Sequence, residues 1–283
     1  MVKKQTDETN PSAGSGQTLH RSGAGQSFIK FLGTAGARFV VSTQLRASGG
    51  IWFSLDGVNI LGDPGPGCLV RCTTSRPKMN PAGLDAIILT HRHLDHCGDV
   101  NIMIEAMTEG GTKKRGALFA PQQALEDDPV VFQYVRKFLP RLEVLKEGGT
   151  YQLDGISFST PVRHQHPAET YGVNFKTSLG TISWMVDTAF FPELLKHYRG
   201  DVLILHSVRY KDENDKEKGI YHLNMEDIKN IVNELRPRVT LLTHFGMTML
   251  RARPHELAGR LSEETGCRVI AASDGMRFEL AGV

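Results

Sequence analysis

The chain has 283 residues, 40% of them hydrophobic and 23% charged, which suits a soluble protein of one large domain or two small ones. No run approaches the roughly 18 apolar residues of a spanning helix, and Lys and Arg exceed Asp and Glu by only 33 − 31 = 2. A membrane span and a strongly basic coat for nucleic acid are therefore both excluded. Four cysteines, Cys68, Cys72, Cys97 and Cys267, are too few for a disulfide framework and are expected as reduced, buried thiols in a cytoplasmic protein. The eleven histidines are unevenly spread, and their clustering is the informative feature.

Residues 1–27 are rich in Ser, Gly, Thr, Gln and Lys and lack both apolar periodicity and the apolar centre of a secretory signal. They are expected as a disordered tail in which His20 is solvated, leaving residues 28–283 as the folded domain. FIKFLG, RFVVST, IWFSL and VNILGD then read as consecutive antiparallel strands broken by Gly-containing turns. LDAIILT (84–90) is a further strand that runs directly into HRHLDHCGD. NIMIEAM has helical spacing with Asp99 placed to cap it. GALFA, LEVLK, GISFSTPV, YGVNF, TISWMV, DVLILH, VTLLTHF and CRVIAAS are strand-like. PELLKHY, NMEDIKNIVNEL (capped by Asn224) and RARPHELAGRL are helical, and Asp274-Gly275 forms a turn between the last strands. Two contacting sheets with helices outside accommodate this order. GGTKKRG and KDENDKEKG read as solvated loops.

His91, His93, Asp95 and His96 fall within six residues, a crowding of imidazoles and a carboxylate that gains little without a cation and uses the donors that zinc and similar metals accept. If the strand continues, His91 and His93 share one side and suit one metal. His96 has the opposite parity, and the turn at Gly98 lets Asp95 and His96 converge on a second. Arg92 and Leu94 would face away and fill space, and Cys97 is a buried spacer.

This pattern, His-x-His-x-Asp-His at a strand end, resembles the hallmark of the metallo-β-lactamase superfamily, and the likeness extends from Phe28 onward. That superfamily also uses a later histidine, an aspartate and a last histidine, each after a strand. His166 follows GISFSTPV, Asp187 ends TISWMVD and His244 ends VTLLTH. The resemblance implies an α+β, four-layer αββα sandwich. It also implies two divalent ions, zinc foremost with manganese or iron compatible, one held by His91, His93 and His166 and the other by Asp95, His96 and His244, with Asp187 bridging. His164 rivals His166, but HPAETYG resembles the corresponding segment of ribonuclease Z-like members. Asp63, in GDPGPG, matches an early aspartate that orients the ligand loop; its alternative is a plain turn before Pro64.

Metal-assisted hydrolysis follows as the default chemistry, with a metal-bridging hydroxide as nucleophile and Asp95 orienting or deprotonating the water. His222, ahead of the helix NMEDIKNIVNEL, resembles a histidine of the ribonuclease Z and cyclic phosphodiesterase branch that contacts the scissile phosphate or protonates the leaving oxygen. Its alternative is a helix-capping surface residue. His206 departs from a glutamate that orients this histidine in ribonuclease Z-like members. No protruding basic arm is found, so a small or cyclic phosphodiester is a better expected substrate than long RNA. A homodimer is compatible with the sequence. The alternatives are a thioester hydrolase of the glyoxalase II kind, disfavoured because no helical domain remains before Val283, and a non-hydrolytic metal-binding redox or sensor protein. β-Lactam hydrolysis is less favoured.

Overall fold

The computed structural model describes residues 26–282 except 212, 213 and 216. Residues 1–25 of the expected tail, His20 among them, lie outside the described residues, as does part of KDENDKEKG. Ser27, at the end of that tail, is buried and accepts hydrogen bonds from the Asp56 and Leu280 amides.

Alternating and continuous apolar runs give fourteen strands among the described residues. These are β1 (Phe28–Phe31), β2 (Ile51–Leu55), β3 (Val58–Gly62), β4 (Ala86–Ile88), β5 (Ala117–Pro121), β6 (Arg141–Leu145), β7 (Gly149–Leu153), β8 (Ile156–Thr160), β9 (Val173–Thr177), β10 (Gly180–Met185), β11 (Val202–His206), β12 (Val239–Thr243), β13 (Arg268–Ala271) and β14 (Arg277–Glu279). They form two seven-stranded sheets, β14-β1-β2-β3-β4-β5-β6 and β13-β12-β11-β10-β9-β8-β7. Each sheet joins an antiparallel half to a parallel half, the change falling at β3 in the first and β10 in the second.

The inner faces meet in an aromatic core that includes Phe53, Phe119, Phe158, Phe175 and Trp184. The outer face of the first sheet is covered by helices Cys68–Thr74 and Val100–Met107, and that of the second by helices Met225–Leu235 and Pro254–Thr265. At roughly 1.5–3 kcal/mol for each fully buried large apolar side chain, these three clusters account for the four layers. The expected αββα sandwich is what forms.

Several local expectations are corrected. RFVVST is a short helix, Ala37–Ser42, because only Val40 of the six is buried and a strand there would have no covered face. The strand β7 was hidden in a polar stretch, yet its burial alternates strictly. It pairs with β8 across Asp154-Gly155, both at positive φ, the dipeptide that a tight hairpin favours. RARPHELAGRL does not form one helix: Arg253 at φ 60 separates Met247–Arg251 from a helix that begins at Pro254. Asp99 precedes its helix without capping it, and its Oδ2 accepts instead from the Leu69 amide. Leu94 is 73% exposed and so fills no interior space.

Parallel pairing positions the site. Register aligns Met185 with Leu205 and His206 with Thr243, so Asp187, His206 and His244 leave three adjacent strands at one edge. Asn224 caps the intervening helix in a capping box with Asp227. Asn224→Ala is expected to lower stability by about 1 kcal/mol, read as a lower denaturation midpoint with an unchanged m-value.

Candidate metal centre

The site begins with Asp63, which leaves β3 in the left-handed region at φ 47. Its carboxylate accepts from the Thr90 amide and hydroxyl, each at 2.7 Å, and from His96 Nδ1 at 2.8 Å. It thus orients the loop after β4, as the sequence indicated, and does more than shape a turn. Three proton positions follow. The Thr90 hydroxyl gives its single proton to Asp63, so it accepts from His91 Nδ1, 3.1 Å away. His96 donates through Nδ1, since a carboxylate only accepts. His166 Nδ1 donates to the Tyr221 carbonyl at 3.2 Å. Neutral rings at all three places carry their lone pairs on Nε2.

Those lone pairs face one carboxylate oxygen. Asp187 Oδ2 lies 3.8 Å from His91 Nε2, 3.4 Å from His96 Nε2 and 4.0 Å from His166 Nε2. Acceptors turned on a carboxylate in a buried site repel one another unless a cation lies among them. His91 Nε2, His222 Nδ1 and His244 Nδ1 are also buried without hydrogen-bond partners among the described residues, each 3.7–3.8 Å from an Asp187 oxygen. The donor set therefore fits divalent metal. Burial alone would raise the Asp187 pKa, but His244, His222 and His96, with the His206 hydrogen bond, hold it well below the usual carboxylate range. Burial lowers His91 as well, keeping it neutral. For His96, burial is outweighed by Asp95, Asp63 and Asp187, which raise it well above an ordinary histidine.

The expected ligands gather into two groups. His91, His93 and His166 converge, with His93 Nδ1 3.0 Å from His166 Nε2. His96 and His244 converge with Asp187, their Nε2 atoms 2.8 Å apart. Asp95 Oδ2 stands beside that pair, 3.6 and 3.5 Å from the same two nitrogens. The helix Leu94–Cys97 supplies the turn between the groups, starting just after His93. Cys97 is the buried spacer expected, its thiol donating to the Arg92 carbonyl. His244 has φ 57, and a Cβ on Gly36 would stand 2.1 Å from its Nδ1. A glycine there is what permits the last histidine to reach the cluster.

Trp184 Nε1, which only donates, bonds to His206 Nε2 at 3.2 Å, so His206 Nδ1 carries the proton and donates to Asp187 Oδ1 at 2.9 Å. It holds Asp187 in place, and burial with the nearby His244 lowers its pKa to about 3. The sequence held a signal for this, since His206 ends a strand beside those that deliver Asp187 and His244. His164, the rival to His166, is buried with Nε2 against the Tyr198 hydroxyl at 2.8 Å and lies outside both groups. His222 is not a helix cap, a role that Asn224 takes. Its ring packs on His166 with centroids 5.3 Å apart.

The family described as the Beta-lactamase superfamily domain matches residues 58–245, a span that brackets every expected ligand. The chain belongs to the metallo-β-lactamase superfamily. A relative, Uncharacterized protein MJ1374 of Methanocaldococcus jannaschii, is 33% identical over 262 residues, 89% of this chain and 94% of its own. Ribonuclease Z of Kineococcus radiotolerans is 33% identical over 98 residues, 34% of this chain and 29% of that protein. Among solved folds, the metallo-β-lactamase fold protein YhfI of Bacillus subtilis superimposes with a TM-score of 0.72 at 18% identity, covering 90% of this chain and 100% of that one. A diphosphatase of the PhnP family gives 0.66 at 23% identity, covering 90% and 98%. The short form of human tRNase Z gives 0.64 at 16% identity, covering 89% and 99%. These solved structures share the fold of this chain.

Replacing His91 and His93 together by Ala is expected to reduce bound metal by at least one ion per chain with little loss of helix and strand content. Elemental analysis and circular dichroism check this; unchanged metal content would refute the ligand assignment.

Proposed function

We propose that the chain is a dinuclear metal-dependent hydrolase of phosphodiesters. The observation that carries the reading is the Asp187 carboxylate shared between two imidazole groups, with the unpartnered Nδ1 of His222 beside it, 3.8 Å from Oδ2. In this reading His91, His93 and His166 hold one ion, Asp95, His96 and His244 the other, and Asp187 both. Zinc is the first choice for so many imidazoles, with manganese and iron compatible. Such ions, when bound, lower the pKa of water and neutralise charge on a phosphoryl oxygen.

The chain's own residues do the rest. Asp95 carries a charge that burial opposes but His96 and His244 favour, and it stands where it can accept a proton from the attacking water. His222 has a pKa lowered by burial to about 4, so before substrate arrives its ring is neutral and holds no proton to give a leaving alkoxide. An anionic phosphate drawn in beside it raises that pKa, so the imidazole is charged by the substrate whose leaving oxygen it then protonates. Neutral thioesters offer no such charge, which favours the diester over the glyoxalase II-like alternative.

Substrate size follows from the surface. Of the GGTKKRG loop, Lys113 pairs with Glu109, and Arg115 reaches the Leu84 carbonyl and Asp85, leaving little charge to grip a polyanion. Helices Ala37–Ser42 and Leu94–Cys97 lie together beside the site, with Phe39 74% and Leu94 73% exposed. This rim suits the apolar part of a small or cyclic diester. The diphosphatase and the tRNase Z among the similar folds lend support to phosphate-ester chemistry. No helix of the described residues is long and apolar enough to cross a membrane, and four free, buried thiols fit a reducing cytoplasm.

The test compares metal-analysed protein on bis(p-nitrophenyl) phosphate and on S-lactoylglutathione. Turnover of the diester, abolished by chelator and restored by metal, is expected; preference for the thioester would overturn the reading. His222→Ala is expected to slow diesters with alkoxide leaving groups by about 10²–10⁴-fold and p-nitrophenyl esters far less. Equal loss on both would remove the general-acid role.

A further inference from the structure

A second polar cavity, of about 210 Å³, lies apart from the metal centre and is lined by Lys30, Leu32, Arg71, Ser75, Arg76 and Gly275, among others. It opens between β1 and the helix Cys68–Thr74, on the outer face of the first sheet. Strand alternation explains how a lysine comes to be there. Ile29 and Phe31 point into the inter-sheet core, so Lys30 points outward, under the helix layer.

Lys30 is 2% exposed, yet no anion of the described residues answers it. Its Nζ donates to the Gly275 carbonyl at 3.2 Å, which uses one of three N–H donors. Its cross-strand neighbours are Trp52 and Arg277, and a like charge directly opposite is unfavourable. Arg277 is engaged with Glu279 and lies over the Phe28 ring. Burial, followed by Arg277 and Arg71, lowers the Lys30 pKa. Arg71 donates through Nε to the Leu32 carbonyl at 2.9 Å and extends Nη2 to the Gly275 turn. None of the ion pairs among the described residues includes Lys30, Arg71 or Arg76. The nearest candidate counter-ion in sequence, Asp274, has both oxygens engaged by Thr34 and Ala47.

A buried, uncompensated cation is unfavourable, and three cations converging without a carboxylate magnify that cost. An anion that entered would remove it, accepting from the lysine at the floor and from the two guanidiniums at the wall. Guanidinium forks match phosphate oxygens. We propose that this cavity binds a phosphate group, carried by inorganic phosphate or by a small organic phosphomonoester. The inference does not depend on the reaction at the metal centre.

The experiment is isothermal titration of the metal-loaded protein with inorganic phosphate and, separately, with AMP, at constant ionic strength set by chloride. Because phosphate can also reach the metal centre, the same titrations are run on the His91→Ala/His93→Ala protein. Phosphate binding at one site per chain is expected to survive in that protein, to vanish with Lys30→Met and to weaken about tenfold with Arg76→Ala, an exposed change that leaves the core intact. Tighter binding of AMP would assign the cavity to a phosphomonoester, and tighter binding of inorganic phosphate to the free ion. Binding lost with the metal ligands, or unaffected by both Lys30→Met and Arg76→Ala, would overturn the proposal. So would the absence of any phosphate binding beyond that of chloride.

Discussion

One carboxylate organises the molecule. Asp187 is buried where two sheets meet, and around it stand imidazoles whose proton positions are fixed from outside: His91 by Thr90, His96 by Asp63, His166 by the Tyr221 carbonyl, and His206 by Trp184. Each outer contact commits a ring nitrogen, and at His91, His96 and His166 the result is a lone pair facing an anion. That arrangement is costly in a metal-free protein and favourable around divalent cations. The parallel halves of the two sheets exist, in functional terms, to bring these groups to one edge.

The same logic explains the backbone near the site. Asp63 and His244 both adopt the left-handed region, at φ 47 and 57, and neither is a glycine. Such positions cost of order 1–3 kcal/mol each and persist where the surroundings over-determine them. Here the three hydrogen bonds to the Asp63 carboxylate and the close approach of Gly36 to His244 supply the determination. Trp184 serves twice, as the largest fully buried side chain of the core and as the donor that orients His206. Packing and chemistry are thus coupled through a single indole.

Much of this was legible in the sequence. His91, His93, Asp95 and His96 are close in sequence, and the later ligands each follow an apolar run, so the strand ends could be read directly. The Asn224 cap and the Asp274-Gly275 turn were legible for the same reason: their signals are local. What was missed depends on distant partners. Nothing near His206 reveals that Trp184 lies on the adjacent strand with its N–H toward it, and the resemblance to ribonuclease Z-like members, which carry a glutamate there, offered no role for a histidine. RFVVST has strand-like composition but no covering layer, and burial, not propensity, decided its conformation. The strand β7 failed the apolar test because Gly149, Tyr151 and Leu153 alternate with polar residues, although its Asp-Gly turn was a usable signal. Lys30 read as an ordinary strand residue, since only the fold shows that it lies under a helix without a counter-ion.

The central claim is that Asp187 is common to two metal ions. The direct measurement is metal stoichiometry and affinity, by elemental analysis and competition with a chromophoric chelator, for the native chain and for Asp187→Asn. Asparagine keeps the size and one acceptor but removes the charge. The account predicts two ions per native chain, and in the variant the loss of at least one ion with much weaker binding of any that remains. Two ions bound to Asp187→Asn with native affinity would contradict it.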